Sequence, residues 1–236
     1  NRRADEQTIS YVESHDQALV GGKTLFFEMA GPAVYDAMHK GSGSLAVERA
    51  VALHKLARLA TLGTAGHGYL NFMGNEFGHP EWIDFPREGN GFSLKYARRQ
   101  WSLRDNPALQ FHWLADFDEA LIRLFARHPR ILHRPVRLMT LDGGAKILVF
   151  NRDGLFFALN FHWTQSYPDW EIVVPPGDYD LALNTDAPAF GGQGRIADGQ
   201  TYIALPKIRG DEQVHAIRVY LPARTAVVLV RRRPAT

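Results

Sequence analysis

Tyr11-Val12-Glu13-Ser14-His15-Asp16-Gln17 is the stretch on which the fold turns. Ahead of it, Thr8 to Val12 is rich in β-branched and aromatic residues and predicts a short strand. Behind it, Gly21-Gly22 breaks the chain into a loop. An imidazole and a carboxylate therefore stand side by side where a strand runs out, the place where α/β barrels keep their chemistry. The two residues alone also admit a plainer reading, a strand end with an incidental His-Asp pair.

Outward from there, Leu25 to His39 is apolar with Gly31-Pro32 inside it and predicts short helical turns in a loop. Gly41-Ser42-Gly43-Ser44 is a flexible break that offers Ser44 as an N-cap. From Leu45 to Leu62, apolar residues nearly encircle the expected helix. They leave one narrow polar stripe through Glu48, Arg49, Lys55 and Arg58, and a helix so apolar is mostly buried. Gly63 is the expected C-cap. Tyr69 to Met73 predicts a second strand, and Gly74 and Gly78 turn the chain at its exit. Strand, long helix, strand is a βαβ unit with a parallel pair and a right-handed crossover.

His79 to Asn90 follows, too polar for a core and too aromatic for a linker, the make-up of a functional loop. Asn106-Pro107 reads as a cap and a first helical position. Leu114, Phe117, Leu121 and Leu124 then fall at helical spacing and give one core face, until His128-Pro129 stops the helix.

Composition shifts near Pro135, and residues 1–134 and 135–236 are the two expected domains. Val136–Leu141, Lys146–Asn151, Leu155–Phe161, Glu171–Val174, Tyr179–Leu183, Gln213–Tyr220 and Thr225–Val230 are expected strands of a β-sandwich. Asp153-Gly154 between two of them is a strong hairpin signal. Gly191-Gly192-Gln193-Gly194 reads as a mobile surface loop, with no helix after it to make a phosphate cradle.

With 45% hydrophobic and 22% charged residues, the chain has the balance of a soluble globular protein. A net charge of +2 gives no reason to expect nucleic acid, and Arg231-Arg232-Arg233 reads as a solvated tail. The lack of cysteine excludes disulfides, thiolate zinc sites and a cysteine nucleophile, and is compatible with a reducing cytosol. A cytoplasmic location is therefore expected. No apolar run approaches the roughly 20 residues of a membrane span. The sequence starts at Asn1, with no signal peptide and directly ahead of a strand, which reads as part of something longer.

Glu13-Ser14-His15-Asp16-Gln17, followed by Ala18-Leu19-Val20-Gly21-Gly22-Lys23-Thr24, resembles the seventh-strand motif of the α-amylase superfamily, in the form found in glycogen and starch branching enzymes. Gly68 to Gly78 resembles the eighth-strand region. His79 to Asn90, continued by Arg98-Arg99-Gln100-Trp101-Ser102-Leu103, is similar nearly letter for letter. The resemblance implies the last βα units of a (β/α)8 TIM barrel over 1–134, followed by an antiparallel β-sandwich over 135–236. It implies that Asp16 binds sugar ring hydroxyls and stabilises an oxocarbenium-like transition state, with His15 on the same hydroxyls. Glu13, Glu76, Trp82, Asp84, Arg87 and Glu88 are then substrate-binding residues.

Retaining glycoside chemistry needs two carboxyl groups about 5 Å apart, a nucleophile and an acid/base. In that family they lie on the fourth and fifth barrel strands, and nothing here matches its first three motifs. The implied parent is a branching enzyme. It passes an α-1,4-glucan segment to a 6-hydroxyl to form an α-1,6 branch, without cofactor or metal. Its partners are α-glucan and the upstream part of the same enzyme; neither nucleic acid nor membrane is expected. The isolated chain is expected to be inactive. Two other readings stand beside this one: a non-catalytic glucan-binding module, or a stand-alone hydrolase using Glu13, Asp16 or Glu76.

Ser14-His15-Asp16 has the residue types of a catalytic triad, but neighbours on a strand alternate faces and do not assemble one. The histidines show no paired metal-ligand spacing. Trp82, Trp101, Trp163, Trp170, Tyr167 and Tyr202 have rings that suit sugar faces; core packing is expected to take most of them, and Trp82 is the one assigned to sugar.

Overall fold

Ile9–Ser10 forms β1 and pairs in parallel with β2 (Gly68–Tyr69), Ile9 opposite Gly68 and Ser10 opposite Tyr69. The parallel βαβ pair expected from the sequence is present. Both strands are shorter than their β-prone runs, because this sheet has two strands and the ladder ends when Leu70 N–H donates to the Ser10 carbonyl at 2.9 Å. Among the described residues the pair has no further neighbouring strand to prolong it. The computed structural model describes residues 6–16, 23–81 and 83–232. Contacts divide the chain into two units, Asn1–Ile122 with Ala189–Gly191, and Arg123–Pro188 with Gly192–Thr236.

In the first unit, α1 (Leu25–Ala30) is capped by the Thr24 hydroxyl, and α2 (Ala33–Asp36) follows after Gly31-Pro32. α3 (Leu45–Thr64) starts as expected, the Ser44 hydroxyl accepting from Val47 N–H. Its end differs: Gly63 lies inside the helix, Ala65 is the C-cap, and Thr64 Oγ1 donates to the Ala60 carbonyl at 2.7 Å. A hydroxyl, rather than a left-handed glycine, satisfies that terminal acceptor. The polar stripe also differs. Glu48 and Arg49 are exposed, whereas Lys55 and Arg58 are only 2% and 1% exposed. Lys55 Nζ donates to the Phe190 carbonyl at 2.7 Å, and Arg58 is held by Asp118.

Phe26, Val34, Met38, Val47, Val51, Phe77, Phe111 and Leu114 make one apolar core. α4 (Trp101–Asp105) and α5 (Phe111–Ala126) replace the single helix expected from Asn106. Asn106 caps the end of α4, and residues 108–110 bond to residues 38–40 instead of coiling. Leu114, Phe117, Leu121 and Leu124 are buried, the face their spacing indicates.

The second unit is an antiparallel sandwich. β3 (Arg137–Asp142), β4 (Ile147–Arg152), β5 (Leu155–Asn160), β7 (Asp178–Asn184), β8 (Thr201–Ile203) and β11 (Thr225–Arg231) form a six-stranded sheet in the order β3-β4-β5-β11-β7-β8. β6 (Tyr167–Val173), β10 (Glu212–Leu221) and β9 (Leu205–Arg209) form the other, in the order β6-β10-β9. Ile147, Val149, Phe156, Ala158, Val227 and Leu229 of the first sheet share a core with Ile172, Ile217 and Val219 of the second. Burying such side chains is worth about 1.5–3 kcal/mol apiece before entropy is counted. Asp153 and Gly154 turn with φ of 50° and 83°, the left-handed pair that a two-residue hairpin needs.

One expectation fails in this unit and a second holds only in part. Residues 191–194 are not a loose loop. Asp186 is 2% exposed; its carboxylate accepts from Gln193 and Arg195 N–H and is held bidentately by the Arg195 guanidinium at 2.8 and 3.1 Å. The arginine run is solvated as expected but is not a tail: Arg231 and Arg232 are exposed, yet Arg231 is in β11 and Arg232 grips Asp180 at 2.6 Å. Arg233 lies outside the described residues.

Candidate functional site

Parallel pairing brings the two strand exits, residues 11–16 and 70–77, alongside each other. On the first, Glu13 turns inward and is 3% exposed; its Oε2 accepts from Leu25 N–H at 2.7 Å, tying the exit to the start of α1. Burial pushes the Glu13 carboxyl up, against the pull of that N–H, Arg58 and Arg99. Ser14 is buried as well, and His15 and Asp16 turn outward. Asp16 N–H donates to Ser14 Oγ at 3.2 Å, and His15 Nε2 stands 3.1 Å from Asp16 Oδ1, with half or more of both side chains in solvent. The His15 ring packs on Phe72 of the second exit, centroids 5.6 Å apart. Gln17 and residues 18–22 of the motif lie outside the described residues.

Beneath this rim lies a buried charge cluster. Arg58 Nε bonds Asp118 Oδ1 at 2.7 Å, and Asn71 Nδ2 donates to Asp118 Oδ2 at 2.8 Å. The Tyr69 ring lies 5.9 Å from the Arg58 guanidinium, and burial raises its hydroxyl to about 12. Glu76 is half-buried. Burial pushes its carboxyl up, countered by backbone N–H groups and Arg58, and reinforced by Asp118. Glu13 Oε1, Glu76 Oε2, Arg58 Nη2, Tyr69 OH and Asn71 Oδ1 are buried without a hydrogen-bond partner among the described residues. Unpaired buried polar atoms are costly, which marks this floor as more than packing.

Arg99 locks the second exit. Its Nε donates to the Met73 carbonyl at 2.7 Å, Nη1 to the Glu81 carbonyl at 2.5 Å and Nη2 to Asn75 Oδ1 at 3.1 Å. A Cβ on Gly74, at φ +88°, would sit 2.8 Å from Arg99 Nε, so only glycine fits. His79 is buried beside Arg99 and accepts from Gln100 N–H at Nε2; burial, then the guanidinium, lowers it to about 4, so its ring is neutral.

Of the residues singled out in the sequence, the structure therefore gathers Glu13 and Glu76 at the floor and His15 and Asp16 at the rim. Asp84, Arg87 and Glu88 lie elsewhere in the unit, in a loop closed on itself. Arg87 Nε bonds Asp84 Oδ1 at 3.0 Å, Asn90 Oδ1 accepts from Arg87 N–H, and Asn90 with Arg87 holds the Asp84 carboxyl below its usual range. Trp82 lies outside the described residues. Arg58, Asp118, Tyr69, Asn71 and Arg99 were not singled out; an arginine inside an apolar helix with an aspartate on a later one was the available signal.

The chain thus places a parallel strand pair, with polar groups at its carboxyl ends, ahead of an antiparallel sandwich in sequence, and the sandwich matches a known family. Residues 139–232 match the family model "Alpha amylase, C-terminal all-beta domain". By shape, the chain is similar to the alpha-amylase of H.orenii (TM-score 0.50, 13% identity, 97% of this chain and 41% of that one). It is similar likewise to that of Geobacillus thermoleovorans complexed with acarbose (TM-score 0.52, 12% identity, 97% and 40%).

Over nearly its whole length the chain is similar to 1,4-alpha-glucan-branching enzymes. It is 43% identical to the one from Debaryomyces hansenii, with 97% of this chain and 33% of the relative covered. It is 45% identical to the Aspergillus oryzae enzyme, covering 97% and 33%. Identity is 43% to 1,4-alpha-glucan-branching enzyme 2-2, chloroplastic/amyloplastic, of Arabidopsis thaliana, covering 97% and 30%. The chain spans about a third of the length of the curated relatives it matches.

Proposed function

We propose that this chain is part of a 1,4-α-glucan branching enzyme, and that it supplies one wall of the active site but not the reacting carboxylates. The observation that carries the reading is the exposed His15–Asp16 pair at the carboxyl end of a parallel strand, above the buried Glu13, Arg58 and Arg99 and the half-buried Glu76. An ionised carboxylate in that position accepts sugar hydroxyl protons, and binds more tightly as positive charge grows at the anomeric carbon. His15 holds the same sugar. Glu13 and Glu76 shape the floor, and Trp82, Asp84, Arg87 and Glu88 are further substrate-binding residues.

On this reading, residues 1–134 are the last βα units of a (β/α)8 barrel and residues 135–236 are the sandwich domain. The unpaired polar atoms of the floor support it, as groups that find partners when further strands close around them. The nucleophile and the acid/base lie in the remaining two-thirds of the polypeptide. The reaction uses no cofactor, its substrate is α-glucan, and the cysteine-free sequence supports a cytoplasmic enzyme.

The test is turnover. Incubated with amylose, the chain alone should change neither iodine staining nor reducing ends over buffer, while the full-length enzyme branches. Turnover by the chain alone that Asp16→Ala abolishes would establish a stand-alone site and overturn the proposal.

A further inference from the structure

Trp163 is 61% exposed, although its indole is among the costliest surfaces to leave in water. It sits in the loop between β5 and β6, and that loop is built rather than slack. Asn160, fully buried, donates from Nδ2 to the carbonyls of Gln165, Leu221 and Pro222 at 2.9, 3.0 and 3.1 Å, and accepts from His162 N–H at 2.9 Å. His162 Nδ1 accepts from the N–H groups of Thr164 and Gln165 at 3.1 and 2.8 Å. The Trp163 carbonyl is held by the Arg224 guanidinium. The indole stacks nearly flat on the His162 ring, centroids 4.4 Å apart and planes 24° apart.

One face of the indole is therefore covered by the His162 ring, on a loop whose backbone is held. We infer that Trp163 on its His162 support is a second sugar platform, on the sandwich, that binds a pyranose ring of an α-1,4-glucan. The setting favours sugar over protein: Thr164 and Gln165, which follow Trp163 in sequence, are exposed and polar. In the loop from Phe161 to Ser166 only Phe161 adds exposed apolar surface to that of Trp163, and the other residues are polar. A ring held in place loses little freedom on binding, so the stack is realised as affinity. The choice of α-glucan rests on the proposed function; the platform rests on this loop alone.

The experiment is calorimetric titration of the 236-residue chain with maltoheptaose, for wild type, Trp163→Ala and Trp163→Tyr. Trp163→Ala should weaken binding about tenfold, the loss of one aromatic stack. Trp163→Tyr should recover most of it. Unchanged melting of Trp163→Ala shows that the loss is local. Wild-type affinity in Trp163→Ala, or no binding by wild type at millimolar maltoheptaose, overturns the platform. Neither result touches the proposed function, which is judged by turnover of the full-length enzyme. Trp163-dependent binding of cellohexaose in place of maltoheptaose would overturn the assignment to α-glucan.

Discussion

Arg58 and Asp118 meet at 2.7 Å with side chains only 2% and 5% exposed, and Asn71 takes the second carboxylate oxygen. Removing one partner of such a pair strands a charge away from water. Asp118→Ala should cost about 3–5 kcal/mol in urea unfolding of the chain. Replacing both partners by apolar residues of similar size should cost much less. His79 gives a second prediction, in pH. Its folded value of about 4 lies below the ordinary 6.5, so the unfolded state takes up the proton first. The stability His79 contributes is complete above pH 6.5 and is lost as pH falls towards 4, up to about 3 kcal/mol. Urea unfolding at pH 7.5 and 4.5 should therefore show a smaller loss for His79→Gln than for wild type; equal losses would mean the ring does not titrate as described. Asp16 and Glu13 were legible because strand, motif and loop coincide in a few residues. Arg58 was not: a polar stripe on a helix reads as solvated unless its partner, 60 positions away, is known.

At the scale of elements, the local rules held where local forces decide. Ser44 caps α3 and Asp153-Gly154 makes its hairpin. They failed where a distant segment competes. Residues 106–110 had a cap and a proline in order, yet they bond to residues 38–40 and the helix starts at Phe111. β8 and β9 were passed over because they are short and β9 carries Pro206, which suits the edge position it occupies beside β10. The glycine segment 191–194 misled in the same way, since nothing local shows that Asp186 organises it. A Cβ at Gly192 would lie 2.1 Å from the Asp186 carbonyl carbon and oxygen. Gly192→Ala should therefore destabilise the chain by about 1–3 kcal/mol. Gly143→Ala, which meets nothing within 4 Å, should change it by less than about 0.5 kcal/mol. Equal melting temperatures for the two variants would show that residues 191–194 yield freely.

At the scale of the molecule, the sandwich was legible from its regular short strands, and the strand-exit site from one motif. The buried floor was not, because its members come from positions 13 to 118 and only the fold assembles them. The chain itself spans a third of its branching-enzyme relatives, so the central claim concerns a site completed by the rest of that length. The most direct measurement is the branching rate of the full-length enzyme against amylose concentration, for wild type and Asp16→Asn. Asparagine keeps the shape and removes the charge facing the developing cation. Turnover and turnover over KM should fall together, by roughly 100- to 1,000-fold. His15→Ala should cost less, since it removes one hydrogen-bonding ring rather than that charge. Near-normal turnover in Asp16→Asn would show that the carboxylate is structural and contradict its place at the transition state.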